Sequence, residues 1–227
     1  MMKKISLICL GLMLAIGTNT FAQKKKKSME KAVKDTLIEI TTDYGVMKLK
    51  LYKETPLHRA NFLKLAAEGF YDSLLFHRVI KGFMIQGGDP GSKNAPPGKM
   101  LGSGDVGYKI PAELVDTLYH KKGVLAAARD GNPEKASSGC QFYIVQGKPM
   151  TEAEILQAEQ RVGFTFSEKQ KADYMTIGGS PWLDRNYTVF GEVVEGLDVI
   201  DKIAAVKTLP GDRPETDVRM TIKLIKN

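Results

Sequence analysis

The chain predicts a mainly β fold, on its turn chemistry and on the period of its apolar residues at both ends of the folded part. Twenty-two Gly and 10 Pro are spread over 227 residues, which punctuates many turns without the bias of a collagen-like or low-complexity chain. From Thr36 onward, and again near the C-terminus, apolar residues alternate with polar ones, the period of a half-buried strand. With 43% apolar and 26% charged residues, the chain can build one globular domain with a sizeable core; a disordered chain and an array of large domains are excluded.

The N-terminal segment stands apart from that fold. Lys3 and Lys4 precede an apolar stretch from Ile5 to Ile16, and Thr20-Phe21-Ala22 lead out to Gln23, the grammar of a secretory signal over residues 1–22. The stretch is short for a bilayer core of about 30 Å, and no later segment supplies the roughly 20 apolar residues of a spanning helix. The expectation is an exported chain without stable membrane insertion, periplasmic in a two-membrane host and secreted otherwise. Loss of residues 1–22 removes Cys9 and leaves Cys140 alone, so the mature chain forms no intrachain disulfide and Cys140 reads as a small buried thiol. Residues 23–35 carry six Lys against Glu30 and Asp35 and few apolar residues, a solvated tether. The net charge of +7 is concentrated here: residues 1–22 contribute two positive charges and residues 23–35 a net four, leaving +1 for the domain over 36–227. Nucleic acid is therefore not an expected partner.

Within that domain, Ile38 and Ile40, then Met47, Leu49 and Leu51, alternate on either side of Asp43-Tyr44-Gly45, an opening hairpin. Thr55-Pro56 supplies an N-cap with proline at the first helical position, Phe62, Leu65 and Ala66 share a face, and Gly69 ends the helix. Leu197, Ile200, Ile203 and Ala204 follow helical spacing in a second, shorter helix. Val218, Met220, Ile222 and Leu224 alternate again, so the first and last segments are strands able to pair and close a barrel. Two capping boxes, Thr151 with Glu154 and Ser167 with Gln170, predict helices over about 152–162 and 168–176.

The run from Phe76 to Pro90 carries the most chemistry. As a strand, 76–80 places Phe76, Arg78 and Ile80 on one face, a permanently charged guanidinium among hydrophobes. Such a placement demands either a paired carboxylate or a function, and Gln86 close behind favours function.

Phe76-His77-Arg78, Gly82-Phe83-Met84 and Gln86-Gly87-Gly88-Asp89 resemble the signature of the cyclophilin family of peptidyl-prolyl cis-trans isomerases. The resemblance continues in family order through 107–113, 123–129, 137–144, 182–184 and 187–191, and the Ala-Arg form at Ala128-Arg129 is similar to bacterial members. It implies a closed eight-stranded antiparallel barrel capped by two helices. It also implies rotation about X-Pro bonds in polypeptide substrates, with no cofactor and no metal. By family position, Arg78 is the catalytic residue; Phe83, Met84 and Leu183 form the proline pocket; and Gln86 orients the guanidinium or the substrate carbonyl. Ala128 and Arg129 lie along the peptide backbone, Gln141 and Tyr143 face substrate, and Trp182 matches the aromatic position the family associates with cyclosporin. Family members usually carry Phe at Tyr143 and His at Tyr187, so both departures keep an aromatic wall and change its polar tip.

The main departure is an insertion of about 148–180, expected as a helical hairpin; a lid, a partner surface and an elaboration without direct role are all open to it. Gly102 to Gly107 imitates a dinucleotide-binding pattern, but Pro96-Pro97 precede it and Tyr108-Lys109-Ile110-Pro111 follow, so the required strand and helix are missing. His58, His77 and His120 have no metal-ligand spacing and are expected to be structural or superficial. A non-catalytic proline-peptide binding module or chaperone is the alternative to the enzyme, and the sequence sets no oligomeric state.

Overall fold

A computed structural model describes residues 36–225; the expected signal segment 1–22 and the tether 23–35 lie outside the described residues. β1 (Thr36–Thr42) and β2 (Gly45–Leu51) form the opening hairpin, paired from Thr36 opposite Leu51 to Thr42 opposite Gly45. At its tip the Thr42 hydroxyl accepts from the Tyr44 amide and donates to the Gly45 carbonyl, each at 3.1 Å. Ile38, Ile40, Met47 and Leu49 are fully buried, as the alternation requires.

The first helix, α1 (Pro56–Ala67), starts at Pro56 and buries His58, Phe62, Leu65 and Ala66. Its cap differs from expectation. Thr55 makes no capping hydrogen bond with its side chain; the Glu113 carboxylate instead accepts from the amides of Leu57 and His58, each at 3.0 Å. A remote carboxylate thus satisfies orphan donors and complements the positive end of the helix.

The remaining strands are β3 (Phe76–Ile80), β4 (Met84–Gly87), β5 (Lys109–Ile110), β6 (Val124–Ala127), β7 (Ser137–Ser138), β8 (Phe142–Val145), β9 (Val189–Glu195) and β10 (Thr221–Leu224). Eight of them make one antiparallel sheet in the order β10-β1-β2-β9-β6-β8-β4-β3, while β5 and β7 pair separately. The sheet is an open half-barrel, which corrects the closed barrel expected. Among the described residues, no ladder joins its edges β3 and β10; the segments leading into them meet at one bridge, Leu75 opposite Arg219, with Phe76 donating to Val218 O, Ser73 to Met220 O and Met220 to Leu74 O, each at 2.9 Å. Ser73 takes φ 67, turning the chain out of the extended region before a longer ladder can form.

The two sheet faces enclose different clusters. Ile38, Leu49, Phe76, Ile85, Leu125, Phe142 and Ile144 join Phe62 of α1 and Val199, Ile200 and Ile203 of α4 (Leu197–Ala204) in the main core. Phe142 meets the rings of Phe62, Tyr71 and Phe76 edge-on at 5.4, 5.6 and 6.2 Å; truncating a residue so placed costs about 3–5 kcal/mol. Residues of opposite parity, Met84, Val124, Ala126, Tyr143, Val145 and Val189, form a second cluster on the other face. Alternation therefore gives β8 one side chain set for the core and another for the site.

The insertion folds as the two capping boxes predict, into α2 (Glu152–Val162) and α3 (Glu168–Thr176), with both boxes fully formed. It has its own small core, in which Ile155, Ala158, Phe166 and Tyr174 pack with Tyr119 from the loop before β6.

Candidate active site

Register across four strands assembles the site. Arg78 pairs with Gln86, Gln86 with Tyr143, and Tyr143 with Ala126, so the four side chains stand in one row on the second face of the sheet. A β-bulge sets the phase of this row. Between β3 and β4 the register passes from Phe76 opposite Gly87 to Arg78 opposite Gln86, two residues against one. The bulge sends Phe76 into the main core with Val79, while Arg78 and Ile80 take the other face. The expectation that Phe76, Arg78 and Ile80 share a face is thus corrected: an extra residue reverses the alternation and re-aims the guanidinium.

A cleft of about 170 Å³ opens over this row, lined by Arg78, Phe83, Met84, Gln86, Ala128, Arg129, Tyr143, Leu183 and Tyr187. Two sequence-predicted residues stand outside the lining. Trp182 neighbours Phe83, ring centroids 5.9 Å apart and tilted by 40°. Gln141 lines an adjoining hollow of about 260 Å³ together with Gly102, Ser103, Gly104 and Lys109. The two spaces share Gln86, Ala128 and Arg129, so they form one continuous groove with an apolar end and a polar end.

Arg78 is less enclosed than its sequence neighbours suggest. Its side chain is 42% exposed, and its Nε donates to Asp212 Oδ2 at 3.2 Å. Among the described residues this is its one hydrogen bond, which leaves the terminal amino groups directed by the pair and open to a ligand. Asp212 was not legible as a site residue; it lies far along the chain in the turn that precedes β10.

Gln86 Nε2 donates to Gln141 Oε1 at 3.0 Å, and Gln141 Nε2 donates to the carbonyls of Gly102 and Gly104 at 2.9 and 2.7 Å. The glycine run that imitates a nucleotide motif is therefore the groove's outer wall, presenting backbone acceptors. A Cβ at Gly104 would come within 1.9 Å of Asp89 Oδ1, so a side chain there would have to displace the Asp89 carboxylate. Gly88, at φ 93, brings β4 against the next strand: a Cβ there would lie 2.2 Å from the Cys140 carbonyl.

At the other wall, Arg129 lies over the Tyr187 ring at 4.6 Å and its Nε donates to Asn186 O at 2.9 Å. The Ala128 amide and carbonyl are both engaged, donating to Gln141 O at 3.0 Å and accepting from Ser138 at 2.8 Å. Of the two residues expected along a peptide backbone, only Arg129 keeps unpaired backbone groups among the described residues. Tyr143 is 5% exposed; burial pushes its phenol well above the usual range, and its hydroxyl turns inward to His120 Nε2 at 3.0 Å. His58, His77 and His120 are all buried. Among the described residues, no group of three or more His, Cys, Asp or Glu is arranged to hold a metal ion, and no helix is long and apolar enough to cross a membrane.

Residues 37–223 match the family described as cyclophilin type peptidyl-prolyl cis-trans isomerase/CLD. The chain belongs to this family of isomerases. This cyclophilin is 34% identical over 193 residues to a Staphylococcus haemolyticus protein named as a peptidyl-prolyl cis-trans isomerase, covering 84% of the chain and 92% of that relative. It is 39% identical over 186 residues to a Streptococcus pyogenes protein named as a bifunctional phosphatase/peptidyl-prolyl cis-trans isomerase. That match covers 80% of the chain but spans only 37% of the Streptococcus protein. In three dimensions it is similar to a cyclophilin-type isomerase of Cryptosporidium parvum, with a TM-score of 0.62 at 24% identity over 86% of this chain and 99% of that one. A second structure of that protein, in the presence of the dipeptide Ala-Pro, gives a TM-score of 0.60 at 24% identity, covering 84% and 99% of the two chains. At that identity the likeness concerns the fold.

Proposed function

We propose that this cyclophilin accelerates X-Pro rotation in exported polypeptides as they fold, by a non-covalent mechanism centred on Arg78. The observation that carries the reading is the row Arg78–Gln86–Tyr143, which sets one guanidinium beside an apolar recess in a single cleft. Rotation about an X-Pro bond meets a barrier of about 20 kcal/mol because twisting breaks amide resonance, and exchange unaided takes roughly 10–100 s. A turnover of about 1–1,000 s⁻¹ requires the barrier to fall by roughly 3–7 kcal/mol.

As the bond twists, the prolyl nitrogen becomes pyramidal and gains a lone pair. A guanidinium amino group beside it binds the twisted amide better than either planar isomer. Phe83, Met84 and Leu183 hold the proline ring and displace water, so one side of the bond is fixed while the other turns. Gln86, oriented by Gln141, faces the carbonyl that rotates, and Arg129 offers its backbone to the bound peptide. The signal pattern over residues 1–22 supports exported polypeptides as the substrate class, and Ala-Pro with the Cryptosporidium relative is consistent with proline peptides as ligands.

The test is a coupled proline-peptide assay on the mature protein with and without Arg78→Ala. Arg78→Ala is expected to lose at least about tenfold in kcat with a modest loss of peptide binding. Equal loss of both would favour a proline-binding module, and a wild-type protein no faster than buffer would end the enzymatic reading.

A further inference from the structure

The insertion reaches the cleft through buried hydrogen bonds. Tyr174 of α3 is fully buried and its hydroxyl donates to Asp184 Oδ2 at 2.6 Å. Asp184 Oδ1 lies 2.8 Å from His120 Nδ1 and also accepts from the His120 amide at 2.8 Å. His120 Nε2 is 3.0 Å from the hydroxyl of Tyr143, whose ring is a wall of the cleft. Four side chains linked by three successive hydrogen-bond contacts thus join the insertion to the substrate face.

A carboxylate at Asp184 accepts from the Tyr174 hydroxyl, from the His120 amide and from the Nδ1–H of the His120 ring, so three donors compensate it in a buried site. In the ring tautomer that carries its hydrogen on Nδ1, Nε2 accepts from the Tyr143 hydroxyl. Burial holds the phenols of Tyr143 and Tyr174 well above their usual range, so both keep a proton to donate. The His120 and Tyr143 rings lie nearly parallel, 14° apart with centroids at 6.1 Å.

The backbone clamps the same residue. Ser180 donates to His120 O at 2.8 Å and Lys122 to Gly178 O at 2.9 Å. A Cβ on Gly179 would lie 2.3 Å from His120 O, so the returning leg of the insertion is pressed directly onto the histidine. Two tyrosines make the connection: Tyr143 stands where a phenylalanine would end it for lack of a hydroxyl, and Tyr174 belongs to the inserted segment itself.

We infer that Tyr174 is a positioning residue for proline-peptide binding, acting through Asp184 and His120 to fix the Tyr143 wall of the cleft. The inference rests on the isomerase reading of the cleft and extends it to the insertion. Because Tyr143 forms a wall and takes no part in bond rotation, its misplacement weakens the planar and twisted amides alike, which raises KM and spares kcat.

The experiment is a double-mutant cycle of Tyr174→Phe and Tyr143→Phe, with kcat and KM measured for a proline tetrapeptide and thermal stability followed in parallel. Tyr174→Phe is expected to raise KM about three- to tenfold with kcat within about twofold, and to have no further effect on KM once Tyr143 is Phe. An unchanged KM in a less stable Tyr174→Phe protein, or an equal rise in KM in both backgrounds, overturns the inference. A second measurement needs no variant. By reciprocity, saturating wild-type protein with the peptide should slow amide exchange in residues 168–178, and unchanged exchange there counts against the coupling. Absent turnover in the wild type would sink the isomerase reading, whereas additive effects in an active wild type sink only this one.

Discussion

Arg78 and Asp212, 134 residues apart in sequence, are joined at two levels: Nε donates to the carboxylate at 3.2 Å, and the next residue's amide, Val79 N–H, donates to the Asp212 carbonyl at 2.8 Å. Asp212 adopts φ 64, a conformation that Asp and Asn tolerate better than most residues. The main chain thus holds Asp212 where its carboxylate can steer the guanidinium.

Asp212→Ala should lower kcat/KM about two- to fivefold, less than the loss from Arg78→Ala, because a half-exposed pair contributes at most about 1 kcal/mol. Asp212→Asn, which keeps the backbone conformation and an acceptor, should fall between wild type and Asp212→Ala. Unchanged kcat/KM in Asp212→Ala would show that the guanidinium needs no anchor.

Gln141→Leu tests the polar end of the groove. The change removes the acceptor for Gln86 and the donor to Gly102 and Gly104. Leaving buried polar groups unpaired costs about 1–3 kcal/mol. The expected outcome is a lower melting temperature together with a loss of roughly tenfold in kcat/KM. Full activity in a folded Gln141→Leu protein would remove Gln86 orientation from the mechanism.

Local rules made most of this molecule readable. The hairpin at Asp43-Tyr44-Gly45, the proline start of α1 and both helices of the insertion follow from turn residues, caps and period, all of which act within a few residues. What escaped was set by distance. Glu113 caps α1 from another loop, and Asp212 anchors Arg78 from the far end of the chain; nothing near either acid marks it as a partner. His120 reads as a solitary histidine because Asp184, Tyr143 and Tyr174 come together only when the insertion folds back. The bulge in β3 was equally hidden, since Phe76-His77-Arg78-Val79-Ile80 obeys strand composition whichever residue is left out of register.

His77 gives stability a pH dependence of definite sign. It is 2% exposed, and among the described residues neither ring nitrogen makes a hydrogen bond of full geometry; burial pushes its pKa down to about 4, Asp89 and a weak approach to the Leu75 backbone oppose this, and Arg78 and Arg213 reinforce it. The unfolded chain, with an ordinary value near 6.5, binds the proton first as pH falls. Its contribution is therefore complete above about pH 6.5 and drains away between there and about pH 4, a total of roughly 3 kcal/mol at about 1.4 kcal/mol per pH unit. His58, also lowered mainly by burial, changes stability in the same direction. Urea unfolding at pH 7 and pH 4.5 should give a smaller difference for His77→Gln than for wild type. Equal differences would place the acid sensitivity elsewhere.

Cys140 completes the contrast between a thiol that is merely present and one that reacts. It is 3% exposed, and burial raises its pKa to about 11 against the opposing hydrogen bond from Ser138. At pH 8 about one molecule in a thousand then carries the thiolate, the form that attacks alkylating and oxidising agents. Gly88 packs against the Cys140 carbonyl, where a Cβ would lie 2.2 Å from it. With the thiol buried and almost wholly protonated, reaction at Cys140 is expected to need opening of this part of the sheet. Iodoacetamide at pH 8 should leave the Cys140 peptide unmodified in native protein over hours and modify it within minutes in urea, by mass spectrometry. Rapid labelling of a fully active native protein would mean that the sheet opens locally beside the cleft, and the row from Arg78 to Ala126 would then lack the rigidity its chemistry demands.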